Sequence, residues 1–138
     1  MVGSIKKFKE DALLGFIREN DTRGICFGRW PDNILRPYLR HISETGSLFI
    51  VGAGEDLVGL GVARRINEED LCRHWIPQDP KGDTLDISDV ICSERKAVET
   101  LVHLFTSRFP DWRECKVWVM RHGKRKKLKP EMIERLAA

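Results

Sequence analysis

No stretch of this 138-residue chain approaches the roughly 18 consecutive apolar residues of a membrane-spanning helix, so a membrane span is not expected. Cysteine is scarce: Cys26, Cys72, Cys92 and Cys115 lie far apart. Met1 to Asp11 carries lysines but no apolar core behind them, because Glu10 and Asp11 interrupt it at once. A secretory leader is therefore not expected, and free thiols in a reducing, cytoplasmic compartment are. Paired metal ligands are lacking too. Cys72 and His74 are one residue apart with no second close Cys or His pair, so no metal site is expected. No internal repeat and no low-complexity segment interrupts the chain.

A nucleotide-binding glycine loop is also missing. Gly52, Gly54, Gly59 and Gly61 suggest one, but Leu57 occupies the third glycine position of G-x-G-x-x-G and no helix follows. Turns and close strand packing account for these glycines better.

What is present is enough for one core: 41% hydrophobic and 33% charged residues in a chain of single-domain size, residues 1–138. The formal charge of +3 is uneven. Arg121, Lys124, Arg125, Lys126, Lys127 and Lys129 form a run without an acid, which leaves 18 basic against 21 acidic residues elsewhere. Read as a loop, this run, with His122 and Gly123 allowing close approach, offers a docking surface for an anionic partner. It holds no interleaved aromatic residue, which favours an acidic protein over a nucleic acid.

Apolar spacing predicts a helix over 5–19 and a second one from near Trp30-Pro31 to Gly46, with Asp32 or Asn33 as its cap and Pro37 awkward in its middle. Short Val, Ile and Gly-rich runs at Leu48–Ala53 and Leu57–Arg65, with Gly54-Glu55-Asp56 between them, read as a β-hairpin. Residues 66–83 form an excursion with a helical turn near Glu69 to Arg73, pinned to the core by Trp75 and Ile76. A strand at Leu85–Cys92, a helix capped by Ser93 and stopped by Pro110, a strand at Cys115–Arg121 and a short helix from Pro130 complete the chain. The expected fold is α/β, a mixed sheet flanked by helices in the order α-α-β-β-β-α-β-α, with the strand-helix-strand unit at 85–121 making its two strands parallel. An exposed edge strand would let two copies pair, so a homodimer is a candidate assembly.

Strict alternation along 85–92 places Leu85, Ile87, Asp89 and Ile91 on one face. A carboxylate in an apolar row must be paired or protonated, and such a setting suits a general acid or base. Cys92, ending this strand ahead of a helix, has the setting of a lowered thiol pKa and is a second candidate.

With those residues placed, the chain resembles the GNAT acyltransferase fold, and within it the toxin-activating lysine acyltransferases. The similarity runs over residues 26–128 and rests on Gly28-Arg29-Trp30-Pro31, Ser47–Val51, Leu57–Ala63, Gly82-Asp83 ahead of Ile87–Ile91, Phe109-Pro110 and His122-Gly123-Lys124. The resemblance implies transfer of an acyl group from an acyl thioester, on acyl carrier protein or coenzyme A, to an amine of a protein acceptor. It implies Asp89 as catalytic residue, with Trp30, Val90, Ile91, Cys92 and Ser93 beside the acyl donor. It implies a catalytic histidine just before Trp30-Pro31, where this chain has Phe27. Ile91–Val98 lacks the glycines with which ordinary GNAT enzymes hold the CoA pyrophosphate, which argues against classical CoA binding and leaves a carrier-protein donor or no donor at all. The alternative is a catalytically inactive, GNAT-like module that binds an anionic protein or nucleic acid through Arg121, His122, Lys124, Arg125, Lys126 and Lys127.

Overall fold

Burial in the computed structural model, which describes residues 9–53, 56–71, 73–121 and 123–137, follows the apolar periodicity closely through the first two helices. Helix α1 (Glu10–Asn20) buries Leu13, Leu14, Phe16 and Ile17, and helix α2 (Asp32–Glu44) buries Leu35, Tyr38, Leu39 and Ile42. The predicted start of α1 at residue 5 lies outside the described residues. Helix α2 begins at Asp32 and runs through Pro37, which sits on its exposed side, where the lost amide strands only a solvent-facing carbonyl. Neither Asp32 nor Asn33 caps it; Pro31 holds that position without a side-chain bond. Gly46, at φ +70°, ends the helix, and the Ser47 amide donates back to the Ile42 carbonyl at 2.8 Å. The two helices are tied by Glu10, whose carboxylate accepts from Arg36 and Arg40 at 2.8 Å each.

Five strands follow, β1 (Leu48–Ala53), β2 (Asp56–Ile66), β3 (Thr84–Cys92), β4 (Lys116–Arg121) and β5 (Lys124–Leu128), in one sheet of order β1-β2-β3-β4-β5. Only β3 and β4 run parallel, joined through helix α3 (Lys96–Arg108) as the strand-helix-strand pattern predicts. Helix α4 (Pro130–Ala137) closes the chain. The turn proposed at Gly54-Glu55 lies outside the described residues. The helical turn in the excursion is Glu68–Asp70.

Two readings of the sequence need correction here. Lys124–Leu128 of the basic run form an edge strand, β5, instead of a loop, and Arg121 ends β4; the lysines of β5 are what a sheet edge needs to discourage pairing with another chain. Ser93 does not cap α3, which starts at Lys96 after Arg95; Ser93 donates to the Val58 carbonyl, fixing the end of β3 to β2.

Helices α1 and α2 cover one face of the sheet, with Phe27, Leu48, Ile50, Leu60, Val62 and Ile91 in their core. Helices α3 and α4 cover the other, with Phe49, Val51, Leu85, Phe105, Val117 and Ile133. Helix α3 comes close to β2 because a side chain is missing there: a Cβ on Gly59 would stand 3.0 Å from that of Ala97.

Candidate functional site at the parting of two strands

The parallel ladder between β3 and β4 runs from Thr84↔Lys116 to Ile87↔Val119 and stops, although β3 continues to Cys92. At the same point the ladder to β2 slips. Val62 pairs with Asp89 and Ala63 with Ile87, so Ser88 is an extra residue, a β-bulge. This overturns the alternation read from the sequence. Leu85 and Ile87 pack toward α3, but beyond Ser88 the phase reverses, and Asp89 shares the α1/α2 face with Asp86 and Ile91. Ser88, Asp86 and Asp89 are buried together, Asp89 only 6% exposed.

These acids meet a fully buried arginine. Arg64, on β2, donates to the Tyr38 hydroxyl at 2.6 Å and the His74 carbonyl at 2.5 Å, and lies 3.5 Å from the Ser88 hydroxyl. Arg125 reaches inward from β5 and pairs with Asp86. Of the residues assigned to an anionic partner, Arg125 is thus engaged in the interior, while Lys124, Lys126 and Lys127 are exposed. The Arg121 side chain and His122 lie outside the described residues.

Asp89 is the least satisfied member: its Oδ2 has no hydrogen-bond partner. Burial pushes its carboxyl above the usual range; contacts with Ser88 and Cys26 and the charges of His74 and Arg64 pull in the other direction. Burial likewise raises Asp86, against Arg125 and Arg64. It raises the Tyr38 phenol to about 12, opposed by Arg64.

Cys26 was not singled out by its sequence context, yet it stands beside Asp89. Its Sγ lies 3.9 Å from the Val90 carbonyl, and burial first, then the Asp89 charge, holds the thiol well above its ordinary value. Asp21 fixes this stretch. Its buried carboxylate accepts from the amides of Ile25 and Cys26 at 2.9 Å and of Gly28 at 2.7 Å. Gly28 is required there, since a Cβ would come within 2.0 Å of the Asp21 carbonyl oxygen. Within this frame Phe27 points inward, fully buried, with its ring edge-on to Trp30 and Tyr38 at 5.9 and 5.6 Å.

Across the sheet lies a cavity of about 500 Å³ between the strands and helices α3 and α4. Its walls are apolar, including Ala63, Ile87, Val98, Leu101, Val102, Phe105, Val119 and Met132, with Arg135 the charged residue among its lining. Ile25 and Val90, both exposed, and Cys26 line it as well, so the cavity reaches the place where β3 and β4 part. Leu136, another exposed apolar side chain, also borders it.

The other residues assigned to the acyl donor separate from it. Val90 lines the cavity, but Ile91 faces the α1/α2 core and Trp30 joins Tyr38 and His74 in an aromatic cluster on that side. Cys92 packs in the α3 core, and burial raises its thiol to about 11, so the helix ahead of it does not produce the lowered pKa expected from the sequence.

Among the described residues no helix is long and apolar enough to cross a membrane. No family model, curated protein or solved structure matches this chain.

Proposed function

We propose that this domain binds a fatty-acyl thioester with its chain in the apolar cavity and transfers the acyl group to an amine of a protein acceptor, with Asp89 as general base. The observation that carries this reading is the cavity itself: about 500 Å³, apolar, and bordered by Cys26 and by Val90, the strand neighbour of the buried Asp89. That volume lies within the roughly 300–1,000 Å³ of ligand sites, and walls of this composition favour apolar occupants.

The chemistry follows from the setting. An amine attacking a thioester carbonyl must lose a proton as the C–N bond forms and the C–S bond breaks. A carboxylate made more basic by burial accepts that proton better than an exposed one. The neighbouring Arg64 charge keeps the ionised form accessible. The exposed Lys124, Lys126 and Lys127 on β5 offer an electrostatic landing surface for an acidic carrier protein.

The test is incubation with long-chain acyl-CoA and acyl carrier protein thioesters together with lysine-containing peptides, followed by mass spectrometry of the peptides. Amide formation should fall on the order of a hundredfold or more in Asp89→Asn. No transfer to any amine and no retained acyl chain in native mass spectra would overturn the reading.

The exposed lysine row, together with Phe27 at the position where the resembled family carries histidine, supports a second reading as a non-catalytic module for an anionic protein or nucleic acid. Its affinity would fall steeply with salt and survive Asp89→Asn.

A further inference from the structure

Cys26, Asp89 and the apolar cavity converge on one spot although they come from a loop, a bulged strand and the opposite face of the sheet. The Cys26 side chain belongs to both environments. It lines the cavity, and its Sγ lies 3.9 Å from the carbonyl of Val90, the residue after Asp89, whose charge bears on the thiol and whose Oδ2 is buried without a partner. A thiol alone would count as packing. An unpartnered carboxyl oxygen nearby, with a chain-sized apolar cavity leading up to it, gives the thiol a proton acceptor on one side and room for a substrate chain on the other.

We infer that Cys26 is the nucleophile that takes the acyl group from the thioester donor, forming an S-acyl cysteine whose chain fills the cavity. This rests on the proposed acyl-thioester reading and names the residue that would carry the acyl group. In the step, the Cys26 sulfur attacks the thioester carbonyl carbon and its proton passes to Asp89. The tetrahedral intermediate collapses with cleavage of the bond between the acyl carbon and the donor sulfur, and the departing thiolate takes the proton from Asp89. One thioester and one thiol give one thioester and one thiol, so no oxidant or reductant is needed. The raised thiol pKa keeps Cys26 protonated at rest, so attack on the donor depends on the proton passing to Asp89 as the new C–S bond forms. The Asp21 carboxylate, by holding the amides of Ile25, Cys26 and Gly28, fixes the backbone that presents the thiol. Cys92 and Cys115 are the natural controls: both are partly buried free thiols outside the cavity lining.

The experiment is intact-protein mass spectrometry of the full chain incubated with palmitoyl-CoA or a palmitoyl carrier protein thioester, with native spectra of the same samples. The wild type should gain one acyl mass, released by neutral hydroxylamine and mapped to the peptide containing Cys26. Cys26→Ala should lose the adduct while Cys92→Ser and Cys115→Ser keep it. Asp89→Asn should slow adduct formation at least tenfold, and Val102→Trp, which fills the cavity, should block the palmitoyl adduct but leave an acetyl adduct from acetyl-CoA. The last arm keeps the proposal falsifiable if Cys26→Ala misfolds. An adduct on Cys92 or Cys115, an adduct retained in Cys26→Ala, or a palmitoyl adduct unaffected by Val102→Trp overturns the assignment. Acyl-thioester retained non-covalently, or transferred to an amine, without any cysteine adduct overturns the role of Cys26 and leaves the acyltransferase reading standing. Neither adduct nor retention removes both.

Discussion

The two faces of one sheet are filled by opposite means. Under α1 and α2 the interior holds Arg64, Asp86, Ser88 and Asp89, all buried and bound into a network with Tyr38 and Arg125. Under α3 and α4 the interior is apolar and partly empty. The first face is polar and full; the second is greasy and hollow. Buried charge costs stability unless each group is paired, and a void forfeits the contacts that would line it. A fold that carries both, back to back across β3, gives up stability on each face. Such departures from good packing mark places where a ligand or a reaction supplies the missing contacts.

The comparison can be broken from the polar side first. Replacing Arg64 with Met leaves Tyr38, Ser88 and two nearby acids without their cation, and a broken buried charge network typically costs about 3–5 kcal/mol; urea denaturation would read it. A loss below about 1 kcal/mol would show that the network is bypassed by water. Asp21→Ala should follow, at about 2–3 kcal/mol, because three amides near Cys26 lose their acceptor.

Asp89 sharpens the contrast through pH. Its carboxyl is raised in the folded state by burial, so folding favours the protonated form. Stability contributed by the neutral group is present below the ordinary carboxylate range and is lost as pH rises toward the folded value. Asp89→Asn, which cannot ionise, should therefore be more stable than wild type at neutral pH, with the advantage shrinking toward pH 4 in thermal melts. The opposite trend would mean that the ionised carboxylate stabilises Arg64 more than burial penalises it. The surface pair Asp111–Arg65 should behave the other way, since Arg65 lowers the Asp111 pKa and its contribution fades as pH falls. On the hollow face the smallest effect is expected. Val102→Trp points its added volume into the cavity and should shift stability by less than about 1 kcal/mol, while long-chain acyl binding measured by native mass spectrometry disappears.

The elements were legible where the physics is local. Ile42, Leu39, Tyr38 and Leu35 announce α2 by their spacing, and the hairpin and the parallel β3–α3–β4 unit follow from short apolar runs and punctuation. Strand β5 was hidden because Lys124–Leu128 is nearly all charge, and an edge strand needs little apolar content. The site was harder to see. Asp89 was visible as an acid in a strand, but its face was misassigned because a bulge leaves no clear mark in Ile87-Ser88-Asp89. Arg64 gave a usable signal: a charged residue in inward phase between Val62 and Ile66 must find partners, and it did so on α2 and in the excursion. Cys26 gave none. Its proximity to Asp89 depends on Asp21 folding the loop back, a contact between residues whose types carry no pattern.

The extra residue at Ser88 also decides which kinds of mutation the site can survive. Substitutions along β3 change one side chain at a time, and the neighbours can adjust. Removal of Ser88 would let Asp89 follow Ile87 directly in strict alternation, leaving Asp89 and Ile91 on the α1/α2 face they already occupy and costing the network the Ser88 hydroxyl near Arg64. The bulge thus absorbs one residue locally, so the frame of β3 on either side of it is set by pairing with β2 and not by the count of residues along the strand.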